Sequence, residues 1–331
     1  MMQELKHEVA RIVQYREEAE PAKIEATPFV PARRARPLVA VDGSYAFLWS
    51  GSGVSLAVVR IGSLHYAAEE DGYRKLHLDQ KDHAVVVSSR EEVMAEQGPI
   101  LSSLYESTLG SRDQPREIVN EYRRYLEASL ALEVARRERG SILAMDGTLE
   151  IFPRELDHSP QLQEACHRND HYLVGVSKDS ILQAFGRKVS DEELLRGEPG
   201  PAYVRVPQEF EKKSRARFYG DIYFAKLHSA AAKWFRVDVG PGKAEVKEVF
   251  RHLSAYAQSP LYPGYPFPLL EAHRFAVTIR QFRNLYEEYV VKNLLQLGLP
   301  LPEALSGLTH YEGERRSTFH AYLDLLARDL K

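Results

Sequence analysis

Leu38-Val-Ala-Val-Asp42-Gly-Ser44 and Ile142-Leu-Ala-Met-Asp146-Gly-Thr148 have one shape, an apolar run closed by Asp-Gly and a hydroxyl residue. A short apolar run bounded by a turn signal reads as a buried strand. A carboxylate at the end of such a strand is held rigidly at the rim of a sheet. Two carboxylates aimed at one point repel unless a cation or a proton lies between them. Asp42 and Asp146 therefore point first to a divalent metal. Either Asp-Gly alone is as readily a type I′ turn or a loop entry; the repetition at two strand ends favours a site.

The elements that must position this pair follow from periodicity. Leu5, Val9, Ile12, Val13 and Ala19 have helical spacing, and a proline-containing linker runs from Pro21 to Pro37. Strands are predicted at Val39–Val41, Val54–Tyr66 and Ala84–Ser88, then helices over Glu91–Ser107 and Pro115–Arg139 with a break near Gly110. A fourth strand, Ile142–Asp146, leads to a helix over Pro160–Arg168 with Ser159 as its N-cap. A fifth strand, Tyr172–Val176, is followed by a short helix from Ser180. Residues 187–240 change to proline, glycine and charge around the β-rich runs Phe218–Phe224 and Trp234–Val239, which reads as an antiparallel insertion. Helices follow at Glu245–Ala257, Leu269–Leu297 and Glu314–Leu330. Three leading strands and then βαβα crossovers give an α/β fold, a mixed sheet flanked by helices. That order is ribonuclease-H-like, and it makes the first and fourth strands neighbours at the sheet centre.

A third carboxylate is expected from the helix between them. Its apolar stripe comprises Val119, Leu126, Leu130, Ala131 and Val134, and Glu127 falls inside it, with Glu133 at the edge. A carboxylate in a buried stripe is costly unless paired or metal-bound. Glu127 is the candidate and Glu133 the fallback, with pairing to Arg123 as the alternative for Glu127. Such hard oxygen ligands suit Mg²⁺ or Mn²⁺, and two such ions could serve phosphodiester cleavage. In Tyr265-Pro-Phe-Pro-Leu-Leu-Glu271-Ala-His273 the prolines favour extended backbone before a helix that begins after Pro268. His273 near that helix start could ligate a metal or move a proton, or be structural; Glu271 would point elsewhere. Lys178 would reach the same sheet edge as the two aspartates, placed for a phosphate, or else begin a helix capped by Asp179 or Ser180.

The 331 residues are 44% hydrophobic and 27% charged, as in an ordinary packed protein. No apolar run is long enough to span a membrane, and the N-terminal residues lack a signal peptide's apolar core. A single cysteine, Cys166, excludes an intrachain disulfide and a multi-cysteine zinc site, and a cytoplasmic setting is the default expectation. The net charge of −3 argues against a generally basic coat. Basic residues still cluster, at Arg33, Arg34 and Arg36, and at Lys212, Lys213, Arg215 and Arg217 beside Phe218, Tyr219 and Tyr223. Such patches either follow a phosphate backbone or form solvated loops. No Gly-x-x-x-x-Gly-Lys-Ser/Thr and no Gly-x-Ser-x-Gly is present.

Taken in order, Val-Ala-Val-Asp42-Gly-Ser, a helical glutamate before Leu-Ala-Met-Asp146-Gly-Thr-Leu, Leu-Val-Gly-Val-Ser-Lys178-Asp-Ser, and Tyr265-Pro-Phe-Pro-Leu-Leu-Glu-Ala-His273 resemble the NurA nucleases. The resemblance spans about 38 to 280. It implies a ribonuclease-H-like nuclease domain over 38–331, preceded by an N-terminal helix and linker over 1–37. It implies Mn²⁺ as cofactor, 5′–3′ exonuclease and single-strand endonuclease activity on DNA, a homodimer, and a partnership with the HerA hexameric ATPase in DNA end processing. It maps Asp42, Glu127, Asp146 and His273 to metal and catalytic positions and Tyr265 to an active-site tyrosine. Lys178 and the Lys212–Arg217 cluster would contact DNA. The alternative is a catalytically silent adaptor that binds DNA or HerA but no metal.

Overall fold

The computed structural model describes residues 5–7, 9, 11, 24–70, 72–152, 156–185, 190–195, 197–208, 210, 219–242 and 244–308. Its strands are β1 (Thr27–Pro28), β2 (Leu38–Gly51), β3 (Val54–Glu69), β4 (Gly72–Ser88), β5 (Ile142–Asp146), β6 (Tyr172–Ser177), β7 (Ala202–Arg205), β8 (Asp221–Lys226) and β9 (Phe235–Val239). They form one nine-stranded sheet in the order β1-β7-β8-β9-β6-β5-β2-β3-β4. β2, β5 and β6 are parallel neighbours, and the other pairings are antiparallel. The helices are α1 (Glu91–Glu96), α2 (Pro99–Ser107), α3 (Gln114–Arg137), α4 (Ser159–Arg168), α5 (Asp191–Leu194), α6 (Val246–Ser254), α7 (Phe267–Val277), α8 (Arg283–Gln296) and α9 (Leu301–Ser306). This is the expected mixed sheet flanked by helices, with the predicted β-rich region continuing the sheet beyond β6.

The period-two alternation of the strands divides the core. Val39, Val41 and Leu143 pack with Leu130, Ala131 and Val134 of α3 on one face. Leu38, Ala40, Ile142 and Ala144 pack on the other with Phe250 and Leu253 of α6 and Leu269 and Ala272 of α7. Each of the valine, leucine, isoleucine and phenylalanine side chains among them, once fully buried, stabilises the fold by about 1.5–3 kcal/mol. The sheet is thus pinned between α3 and α7, the two helices that carry Glu127 and His273.

Several expectations are corrected. The first strand does not stop at Asp42-Gly43 but runs 14 residues to Gly51, because β3 supplies antiparallel partners all along it, Gly43 opposite Ile61 included. The third strand is 17 residues long rather than the five at its apolar end; its exposed first half is too polar to signal a strand but completes the β3 ladder. The helix predicted over Glu91–Ser107 is two, broken at Gly98, whose φ is +102°. The helix over Leu269–Leu297 is also two, separated by the 3-10 turn Thr278–Arg280. Ser159 is the first helical residue rather than the cap, and its N–H donates to Asp157 Oδ1 at 2.9 Å. Residues 180–185 are not helical. There the Asp191 carboxylate accepts from the N–H groups of Ala184 and Phe185, and the short helix lies at Asp191–Leu194 instead. Of the predicted N-terminal helix, 5–7, 9 and 11 are helical, while Ile12, Val13 and Ala19 lie outside the described residues, as does the Glu314–Leu330 helix.

The two Asp-Gly pairs use glycine for different reasons. Gly147 turns the chain out of β5 at φ +119°, a conformation that L side chains rarely adopt. Gly43 lies in extended strand, where a Cβ would sit 2.7 Å from Glu127 Oε1 and 2.9 Å from Ile61 Cγ2. Gly43→Ala is therefore expected to lower stability by about 1–3 kcal/mol through overpacking. Thermal melts in a double-mutant cycle test this: shortening Glu127 to alanine should recover part of the Gly43→Ala loss and none of a Gly147→Ala loss.

Candidate active site

The parallel register of β2 and β5 places Ala40 beside Ala144 and Val41 beside Met145. Asp42 and Asp146 are the next residues, side by side on the face covered by α7. β5 ends there while β2 continues, so the notch at the end of β5 forms the rim that the sequence suggested for both strands. Pro266 holds extended backbone at the start of α7 (φ −61°, ψ 116°) and Pro268 lies in its first turn, which fixes where the helix begins and brings His273 over the pair.

The contacts are specific. His273 Nδ1 is 2.9 Å from Asp42 Oδ2 and 3.7 Å from Asp146 Oδ2. Asp42 Oδ1 accepts from the Gly43 N–H at 2.7 Å. Lys178 Nζ donates to Asp146 Oδ2, and the Tyr265 hydroxyl donates to Asp146 Oδ1 at 3.4 Å. One ligand atom from each of Asp42, Asp146 and His273 lies within 4.8 Å of the others, the one such group of donors among the described residues.

Glu127 approaches from α3 across the gap left by the absent side chain of Gly43. It is 4% exposed and accepts from Arg123, one turn earlier, whose other amino group donates to Asn120 Oδ1 at 3.1 Å. The pairing with Arg123 weighed from the sequence is thus present, and it coexists with proximity to the aspartates. Glu127 stands outside the Asp42–Asp146–His273 trio. Glu133, the fallback, is half exposed and paired with Lys81, so it is not part of this site.

The electrostatics reflect crowding. Burial pushes the Glu127 carboxyl up to about 8; Arg123 opposes the shift, and the charges of Asp42 and Asp146 add to it. Burial and then Asp42 raise Asp146 to about 6 against the pull of Lys178. Burial, followed by the two aspartates, also holds the Tyr265 hydroxyl well above its ordinary value. Negative charge in this notch is expensive, and the surrounding cations only partly offset it.

A cavity of about 370 Å³ opens over the cluster, lined by Asp42, Asp146, His273, Lys178, Arg123 and Arg280, with Ser44, Tyr45 and Asn120 at its sides. Two carboxylates and an imidazole facing one space fit a divalent cation; adding nitrogen to oxygen suits Mn²⁺ better than Mg²⁺. Tyr265 is 8% exposed and sits against Asp146 rather than lining the cavity. Lys178 is where it was expected. Lys212, Lys213, Arg215 and Arg217 lie outside the described residues.

The sequence reading passed over Asn120 and Arg280, and took Arg123 only as a partner for Glu127. Asn120, Arg123 and Glu127 recur at helical spacing on one face of α3, a polar stripe that could have been found. It also missed the buried Arg236–Asp238 ion pair (2.7 Å), whose Asp238 Oδ2 accepts from the Leu149 N–H at 3.0 Å and so holds the loop that follows Asp146.

A family model, the NurA domain, matches residues 36–278. Among solved structures, the NurA nuclease from Sulfolobus solfataricus is similar to the chain with a TM-score of 0.55 at 18% identity, over 89% of this chain and 96% of that one. The catalytic domain of human Endonuclease V matches with a TM-score of 0.35 at 13% identity, over 90% and 98%. The Argonaute from A. aeolicus matches with 0.33 at 11%, over 77% and 29%. Neither of these last two likenesses is strong enough to carry an argument. No curated protein sequence matches the chain. The family match covers most of the chain, including all four segments in which the two aspartates, Glu127, Lys178 and His273 lie, and on that ground the chain belongs to the NurA family of nucleases.

Proposed function

We propose that this chain is a metal-dependent deoxyribonuclease that hydrolyses DNA phosphodiesters with Mn²⁺, or Mg²⁺ in its place. The observation that carries this reading is the convergence of Asp42, Asp146 and His273 ligand atoms within 4.8 Å of one another, in a notch where carboxylate charge is left incompletely balanced. When bound, a divalent cation supplies Lewis-acid polarisation of the phosphate.

The chain's own groups have distinct tasks. Asp42 and Asp146 would hold the cation, and His273 would offer a nitrogen that ligates when neutral. Lys178 pairs with Asp146 at the wall of the same cavity, and its ammonium would meet a phosphate oxygen there. Arg123 partly offsets the burial that raises Glu127 to about 8; once ionised, its carboxylate could accept a proton from an attacking water. Tyr265 fixes the orientation of Asp146 from beneath. Arg123 and Arg280 give the cavity wall the positive charge that a phosphodiester requires.

Family membership supports the finer reading: 5′–3′ exonuclease and single-strand endonuclease activity, action in DNA end resection and double-strand break repair with a HerA-type hexameric ATPase, a homodimer, and a cytoplasmic location. Among the described residues no helix is long and apolar enough to cross a membrane.

Asp42→Ala is expected to reduce Mn²⁺-dependent cleavage of a labelled oligonucleotide by more than the roughly 10–100-fold typical of losing an outer-shell partner. Activity near wild type would overturn the assignment. Lys178→Met should leave Mn²⁺ affinity unchanged or tighter, because it removes a competing cation, while lowering cleavage by about 10-fold or more; titration calorimetry and the cleavage assay read the two effects separately.

The pH dependence has a definite sign. Asp146 and Glu127 titrate in the fold near 6 and 8, above their ordinary values. Their protonated forms are therefore favoured by folding, and metal-free stability falls as pH rises through those values. A cation offsets this penalty only where the carboxylates are charged. The Mn²⁺-induced rise in melting temperature is expected to be larger at pH 8.5 than at pH 5.5; a larger rise at the lower pH would contradict the assigned ligands.

A further inference from the structure

A second cavity, of about 340 Å³, lies at the opposite end of β5 and β6, between the C-terminal ends of α3 and α4. Arg136, Arg139, Arg168, Gln161, Glu164 and Asn169 line it. Three guanidinium groups share it with one carboxylate, and that carboxylate, Glu164, is already paired with Arg168. The other arginines of α3 each have an acidic partner: Arg116 has Asp113, Arg123 has Glu127, Arg124 has Glu121 and Glu150, and Arg137 has Asp79 and Glu138. Arg136 and Arg139 are exposed and have no carboxylate partner among the described residues. Their charges face a concave surface that also offers the amides of Gln161 and Asn169. Asn169 is fixed there, since its Nδ2 donates to Ala135 O at 2.7 Å. Three guanidinium groups beside a single carboxylate leave the cavity net positive, which favours an anion, and the planar forks of arginine suit phosphate oxygens.

We infer that this cavity binds a phosphate group, and that its source is the nucleic-acid strand engaged by the carboxylate site. The spacing fits one strand serving both places. The helix α3 lines both cavities, with Arg123 at the first and Arg136 at the second, about 20 Å apart at 1.5 Å per helical residue. At 3.4 Å per phosphate along a duplex strand, this distance is about six nucleotides. The cavity then holds the backbone a few phosphates away from the reacting one and sets how much strand must lie beside it. The choice of nucleic acid as source rests on the nuclease reading; the phosphate chemistry does not.

The test uses full-length wild-type protein and the Arg136→Gln/Arg139→Gln variant, without metal and with chelator, so that cleavage plays no part. Both substituted side chains are exposed, and an unchanged melting temperature establishes that the fold is intact. Binding of 4- and 16-nucleotide single strands is measured across a salt series, and binding of inorganic phosphate by calorimetry. The expected result is that the variant loses affinity for the 16-mer with a salt slope lower by about 1, while the 4-mer is affected far less. Loss of inorganic phosphate binding with DNA binding unchanged would keep the phosphate site and overturn nucleic acid as its source. No change in either ligand would overturn the site. Because no arm depends on Asp42 or on Mn²⁺, failure of the catalytic assignment and failure of this site remain distinguishable.

Discussion

Three carboxylates forced into one low-dielectric notch are the constraint from which the rest of this molecule can be understood. Asp42 and Asp146 are brought together by the parallel pairing of β2 and β5, and Glu127 arrives from the opposite face through the space that Gly43 leaves open. Left alone, such a cluster would protonate or unfold the edge of the sheet. The chain surrounds it with Arg123 and Lys178, yet Glu127 and Asp146 still hold their protons unusually tightly. A structure that maintains this tension at the mouth of a cavity is arranged to receive positive charge.

The scaffold around the notch is correspondingly overdetermined. α3 and α7 are packed on opposite faces of the central strands by alternate residues of the same segments, Val39 and Val41 on one side, Leu38 and Ala40 on the other. The loop after Asp146 is held by the buried Asp238, itself neutralised by Arg236. The segment after Lys178 is held by Lys233, which donates to the Lys178 carbonyl and to Asp179. Polar groups that contact no substrate thereby fix the positions of groups that can.

The central sheet order and the pairing of the two aspartates were legible because buried parallel strands are short, apolar and sharply bounded. Glu127 was legible because a charge inside an apolar stripe is anomalous. The extent of β2 was not, since Asp42-Gly43 looks like a turn when its antiparallel partner in β3 is out of view. The breaks in the helices before and after this core were hidden for a similar reason: the apolar pattern continues across Gly98 and across Thr278–Arg280, and only packing decides where the axis changes. Lys178 could be placed from its strand, but its ion pair with Asp146 needed three dimensions, as did the contact between Tyr265 and that same carboxylate. The arginine-lined second cavity was invisible as well, because Arg136, Arg139 and Arg168 come from the ends of two separate helices.

The central claim is that Asp42, Asp146 and His273 form a cation site. Electron paramagnetic resonance of Mn²⁺ titrated into wild-type and Asp146→Asn proteins tests it most directly. The account predicts saturable loss of the free-ion signal with wild-type protein and weakened or absent loss with the variant; equal Mn²⁺ binding by both, or none by the wild type, would contradict it.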